Sequence, residues 1–178
     1  MNIIDKIISN FINNKSLYVG EKVTISEHMI QSAMIAEKAK SPNSLICSCL
    51  LHDYGHFILE DPDDLVRKKV DGKHEYIGYE YLKKFFNKDV VEPIKYHVLA
   101  KRYLAKEKKY FNSLSEASKI SLKLQGGVLN KKESKEFEKK DFFKQTIKLR
   151  KFDEVAKRTD MKMKSIIEYK NLLGSHLL

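Results

Sequence analysis

The chain has 178 residues, 42% hydrophobic and 33% charged, a profile that excludes a disordered polymer and fits one soluble globular domain spanning residues 1–178. No apolar run approaches the roughly 18 to 20 residues of a membrane span, so no membrane contact is expected. The net charge is +10, but basic and acidic residues alternate, as in KKESKEFEKKDF, and no nucleic-acid recognition motif accompanies them, so no nucleic-acid partner is expected.

The elements read as helices throughout, with only three prolines and seven glycines to interrupt them. The opening segment MNIIDKIISNFINNK lacks the basic region, apolar core and cleavage site of a secretory signal, and a cytoplasmic location is expected. Within it Ile3, Ile4, Ile7, Ile8, Phe11 and Ile12 form an amphipathic stripe at helical spacing. Thr24-Ile25-Ser26-Glu27 reads as a capping box that opens a helix running to about Lys40. Ser41-Pro42-Asn43 stops that helix and starts the next, which carries LICSCLLHD. Cys47 and Cys49 point away from each other on such a helix, so buried reduced thiols are expected rather than a disulfide.

A loop with Asp61-Pro62-Asp63-Asp64 and Asp71-Gly72 follows, and His74 opens a helix ending near Phe86. Pro93 is placed in the first turn of a helix continuing past Tyr103. Ser115 starts a short helix closed by Gly126-Gly127, and Asn130-Lys131-Lys132-Glu133 resembles another cap. A longer helix is predicted from about Asp141 to Thr159. The terminal GSHLL is expected to fray, which leaves His176 no role as a ligand.

Six side chains stand out as potential metal ligands: His28, the pair His52-Asp53, His74, His97 and Asp153. Four imidazoles and two carboxylates without a thiolate suit iron or another octahedral ion better than a closed tetrahedral zinc site. A lone His-Asp dipeptide is often a surface pair, but this one ends a buried stretch, where unpaired polar groups are costly. A carboxylate there can serve two cations, one with each oxygen. Taken singly, His74 reads as an exposed histidine and His97 as a core histidine bonded to backbone. Glu27, beside His28, reads as the capping glutamate.

A histidine, then His-Asp, then a distal aspartate resembles the HD-domain superfamily, whose folds are helical bundles with metal between the helices. YVGEKVTISEHM, LLHDYGH, KHEYIGYEYL, HVLAKRYL, LSEASKISLKLQGG and LRKFDEVAK look like successive segments of its mixed-valent di-iron oxygenases, which cleave phosphonates and are relatives of myo-inositol oxygenase. The likeness runs from Tyr18 to Lys157, leaving the first helix and the tail outside it.

The resemblance implies an all-α HD-domain bundle in which one iron takes His28, His52, Asp53 and Asp153. The other takes His74, His97 and the shared Asp53. It further implies an Fe(II)/Fe(III) pair, dioxygen as co-substrate, and oxidative cleavage of the C–P bond of a 1-hydroxyalkylphosphonate. Lys101, His56, Ser118, Ser121 and Gln125 correspond to the residues that hold the phosphonate. Asp53, His56 and Lys101 stand closest to the chemistry. Tyr18 corresponds to a tyrosine that can occupy an open iron position, and Glu21 to a glutamate that pairs with a substrate amine. Both together favour a substrate with a cationic amine, foremost 2-amino-1-hydroxyethylphosphonate cleaved to glycine and phosphate, with its trimethylammonium analogue and hydroxymethylphosphonate left open, and the pathway implies an upstream hydroxylase. The alternative from another reaction class is an HD phosphohydrolase acting on a nucleotide or phosphate ester through metal-activated water. It uses His28, His52, Asp53 and Asp153 and leaves the other residues without a task.

Overall fold

The computed structural model describes residues 2–18, 20–59 and 72–178, and among these it is helical with no strand beyond two isolated β-bridges. The expected loop around Asp61-Pro62-Asp63-Asp64 and Asp71 lies outside the described residues. Helix α1 (Ile3–Asn13) is capped by the Asn2 side chain and buries Ile4, Ile7 and Phe11, the inner part of the expected stripe; Ile12 faces solvent. Helix α2 (Ile25–Lys38) begins with the predicted capping box: Thr24 Oγ1 accepts from Glu27 N at 3.1 Å, and Glu27 Oε2 accepts from Thr24 N at 2.7 Å. Helix α3 (Asn43–Leu51) is buried at every position from Leu45 to Leu51, including both free cysteines, as its unbroken apolar run requires.

A 3-10 turn, Tyr54–Phe57, follows α3, and α4 (His74–Leu82) and α5 (Lys88–Leu104) come later in the chain. Helix α4 ends at Leu82, earlier than the predicted Phe86. Pro93 sits in the second turn of α5 rather than the first. The missing N–H would normally open the backbone ladder. Ser48 of α3 lies beside the gap: its Oγ is 2.8 Å from Val90 O and 3.4 Å from Asp89 O, the carbonyl that the missing N–H leaves free.

Short helices α6 (Lys108–Ser113), α7 (Glu116–Leu124) and α8 (Lys131–Glu138) precede α9 (Phe143–Val155). Helix α9 is shorter than predicted at both ends. Past Val155 the backbone turns its groups to α2: Ala156 O accepts from His28 Nδ1, while Gln31 bonds both the N–H and the carbonyl of Arg158. A 3-10 turn (Ile166–Tyr169) and α10 (Lys170–Gly174) then pack Ile166, Tyr169 and Leu173 into the core. The tail is docked rather than frayed, since Leu178 N donates to Phe85 O and Asn87 N to His176 O. No described helix is long and apolar enough to cross a membrane.

Helices α2, α3, α5 and α9 pack on one another, with α4 laid against α5 and the 3-10 turn. That last approach depends on two facing glycines. A Cβ on Gly55 would fall 1.9 Å from the His74 carbonyl oxygen, and one on Gly78 would fall 3.0 Å from Gly55 N. Backbone therefore meets backbone where His74 enters the core. Gly55→Ala is expected to destabilise the chain by about 2 to 3 kcal/mol in urea denaturation, the cost of over-packing a rigid contact. An unchanged midpoint would show that α4 is not clamped at this point.

Candidate metal centre

Five separate pieces of backbone deliver the six predicted ligands to one buried point. His28 lies one turn into α2, and His52 caps the C-terminus of α3. Adjacent residues of a helix diverge by about 100°. Asp53 escapes that divergence because the chain leaves helical geometry there (φ −101°, ψ 13°), and its Oδ2 comes 3.4 Å from His52 Nε2. His74 opens α4, His97 lies midway along α5, and Asp153 stands in the last turn of α9.

The side chains form two groups that share one residue. In the first, His28 Nε2 lies 3.1 Å from His52 Nε2, 3.2 Å from Asp153 Oδ1 and 3.5 Å from Asp53 Oδ2. In the second, His74 Nε2 lies 3.1 Å from His97 Nε2 and 3.1 Å from Asp53 Oδ1, which is 3.4 Å from His97 Nε2. The two Asp53 oxygens thus face different pairs of imidazoles. Except for His74, which is partly exposed, all six are buried.

Hydrogen bonding behind the rings fixes which nitrogen points inward. His28 Nδ1 donates to Ala156 O at 2.8 Å, His52 Nδ1 to Cys49 O at 2.8 Å and His97 Nδ1 to Ile94 O at 2.7 Å. Each of these three rings then turns the lone pair of Nε2 toward the carboxylates, as a metal ligand must. These backbone carbonyls are the second N–H partners that the sequence does not identify. Both Asp53 oxygens and Asp153 Oδ1 are buried without a hydrogen bond. Orphaned carboxylate oxygens beside converging lone pairs are costly unless a cation binds among them. The donor set, four imidazole nitrogens and three carboxylate oxygens with no sulfur, fits two transition-metal ions.

Charge in the protein alone points the same way. Burial opposes a charged imidazole at His52, but the carboxylates of Asp53 and Asp153 outweigh it and push the group up to about 10. His28 and His74 move upward in the same fashion, and burial pulls His97 down. Asp53 is held well below the usual carboxylate range, against its burial, by His52 and His74. The centre therefore attracts positive charge, and a metal competes there with protons.

Of the other predicted residues, Tyr18 and His56 touch this cluster. Tyr18 stacks on His28 with ring centroids 4.2 Å apart, and its phenol is held well above its usual range by burial and by Asp53. His56 stacks on His74 at 4.3 Å, and burial with the neighbouring His74 draws it down to about 3, so it is neutral. Lys101 is buried one turn beyond His97 and donates to Ser121 Oγ at 2.9 Å; burial and the charge of Arg150 lower it to about 7. Ser121 donates to Ser118 O. Gln125 caps α7, and its buried Oε1 makes no hydrogen bond. Glu21 does not face open space: its Oε1 accepts from Ser115 Oγ at 2.7 Å and pairs with Lys157 Nζ at 3.2 Å. Glu27 serves the capping box, and His176 bonds Leu172 O in the docked tail.

Three residues escape the sequence reading. Arg150 is buried and grips both Asp153 Oδ2 and Glu154 Oε2, while its Nε donates to Tyr110 OH at 2.8 Å. Glu154 and Lys157 carry the polar network on to Glu21. Helical spacing is the signal that could have found one of them, since Arg150 stands at i−3 from Asp153 on α9, whereas Lys157 lies past the end of that helix. Two shallow hollows outside the bundle, lined largely by lysines such as Lys88, Lys139, Lys106 and Lys132, share no residue with the cluster.

Comparison with known proteins gives the arrangement its kin. The HD domain matches residues 25–125. The chain is 48% identical over 145 residues, 81% of its length and 74% of the relative's, to the glycine-betaine-forming 1-hydroxy-2-(trimethylamino)ethylphosphonate dioxygenase of Leisingera caerulea. It is 40% identical over 154 residues, 85% of its length and 77% of the relative's, to the hydroxymethylphosphonate dioxygenase of Gimesia maris.

The geometry sets different outcomes for shared and unshared ligands. Asp53→Ala is expected to abolish binding of both metal ions, whereas His97→Ala should remove only one, as read by elemental analysis of the purified variants. An Asp53→Ala protein that keeps two ions per chain would contradict the shared role.

Proposed function

The chain belongs to the HD-domain family, in the branch of its phosphonate dioxygenases, and from that premise we propose that it is an iron- and dioxygen-dependent enzyme cleaving the C–P bond of a 1-hydroxyalkylphosphonate. The observation that carries the reading is the divided Asp53 carboxylate, one oxygen toward His28 and His52 and the other toward His74 and His97. In this reading His28, His52, Asp53 and Asp153 hold one iron, and Asp53, His74 and His97 hold the second. An Fe(II)/Fe(III) pair at these residues supplies the one-electron chemistry that dioxygen requires. One dioxygen balances the reaction: the 1-hydroxyalkylphosphonate becomes a carboxylate and phosphate, with no outside reductant.

The chain's own residues bind and orient. Lys101 reaches the mouth of the centre from α5 with its ammonium beside Ser121, and the pair offers a charged donor and a hydroxyl to the phosphonate oxygens. Gln125 and the neutral His56 add uncharged hydrogen-bonding groups around them, and Ser118, whose Oγ accepts from Lys157, stands on the side of the distal group. A dianion arriving beside Lys101 offsets the burial that draws its proton away, so substrate and ammonium stabilise each other. Tyr18, flat against His28, covers one side of the centre and limits access of water, while Glu21 stands toward the distal end of the substrate. Holding C1 at a fixed place against the oxidant is the protein's main contribution to rate. A hydroxylase acting earlier would have to install the 1-hydroxyl group. A phosphohydrolase with one metal would leave His74 and His97, gathered on Asp53 Oδ1, without a purpose.

Iron-loaded protein is expected to release phosphate from at least one of hydroxymethylphosphonate, 2-amino-1-hydroxyethylphosphonate and its trimethylammonium analogue, and only in the presence of oxygen. Phosphate release from phosphate esters that ignores oxygen would favour the hydrolase. Lys101→Ala should retain its iron and lose about 2 to 4 kcal/mol of phosphonate binding, seen as a raised KM. An unchanged KM and kcat would remove Lys101 from the binding site.

A further inference from the structure

The side chain expected to meet a substrate cation already has one. Lys157 Nζ lies 3.2 Å from Glu21 Oε1 and 3.4 Å from Glu154 Oε1, and it donates to Ser118 Oγ at 2.9 Å and Ser115 Oγ at 3.3 Å. The same ammonium stands 5.9 Å from the centre of the Tyr18 ring. Two carboxylates, two hydroxyls and an aromatic face are what a cationic ligand would require, and here they enclose the chain's own lysine.

Three segments make this enclosure. The loop before α2 brings Tyr18 and Glu21, and it is closed by the Leu17–Thr24 bridge and by Tyr18 N donating to Val23 O at 2.8 Å. Helix α7 brings Ser115 and Ser118, and the chain just past α9 brings Lys157. Gly20 lets the loop settle on α7, because a Cβ there would lie 2.7 Å from that of Ala117 and the residue has φ +75°. The network continues inward through Glu154 and Arg150 to Asp153, so it adjoins the metal centre. Glu21 has Lys157 as its cation, while Arg150 pairs with both Glu154 and Asp153. A positively charged substrate end would bring a second cation to Glu21, and an uncharged end would not.

Building on the proposed phosphonate cleavage, we infer that Lys157 is a specificity-determining residue: it is the internal counter-ion of Glu21, which a cationic distal group must displace and an uncharged one need not. Its ammonium and a substrate amine compete for one carboxylate. The lysine therefore tilts the site toward short phosphonates without a distal cation.

The test compares the wild type, Lys157→Met and Lys157→Arg with hydroxymethylphosphonate and 2-amino-1-hydroxyethylphosphonate. Affinities are measured by calorimetry without oxygen, and kcat and KM with it. Lys157→Met should shift the affinity ratio toward the amino compound by at least about tenfold, with the change in KM rather than kcat. Lys157→Arg, which keeps the charge, should leave the ratio near that of the wild type. An unchanged ratio in Lys157→Met, or a shift toward hydroxymethylphosphonate, would overturn the inference. Binding without turnover in the wild type would refute C–P cleavage while the affinity ratio still decides the role of Lys157; no binding of either compound would refute both.

Discussion

One carboxylate organises this molecule. Asp53 is buried, both of its oxygens lack hydrogen bonds, and four imidazoles converge on them from α2, α4, α5 and the end of α3. Buried charge of this kind is tolerated only when strong partners face it. The surrounding helices are placed accordingly. Ser48 lies against the backbone before Pro93, the two facing glycines let His74 approach, and α9 ends where Ala156 accepts from His28. Each lies on or beside an element that carries one of the six clustered side chains.

The centre and its surroundings are built differently. The six clustered side chains stand on or beside packed helices, with His28, His52 and His97 oriented by backbone carbonyls that cannot move independently of the core. The network around Glu21 comes from a short loop, the small helix α7 and the segment after α9. Such a division would let that network change without disturbing the centre. The two dioxygenases to which the chain is similar are named for substrates that differ in that distal part.

Much of this was legible in the sequence where the signal is local. The Thr24–Glu27 box, the apolar run LICSCLL and the inner stripe of α1 each announce a helix by themselves. The clustering of the six residues was legible because a histidine, His-Asp, two further histidines and a distal aspartate form a long, ordered pattern. What was not legible depends on partners far away in sequence. Nothing near Pro93 names Ser48, nothing in GSHLL names Phe85 and Asn87, and nothing near Glu21 names Lys157, 136 positions later. The early end of α9 has the same origin, since His28 and Gln31 claim its backbone from α2. Arg150 was within reach of helical spacing, but without the fold that spacing does not say which face looks inward, and Lys157 lies past the helix end.

Electron paramagnetic resonance, combined with iron quantification on protein purified under controlled reduction, tests the central claim most directly. Two irons per chain with the signal of a coupled Fe(II)/Fe(III) pair are the result this account predicts. A single manganese or magnesium ion per chain, with no coupled signal after iron loading, would contradict it.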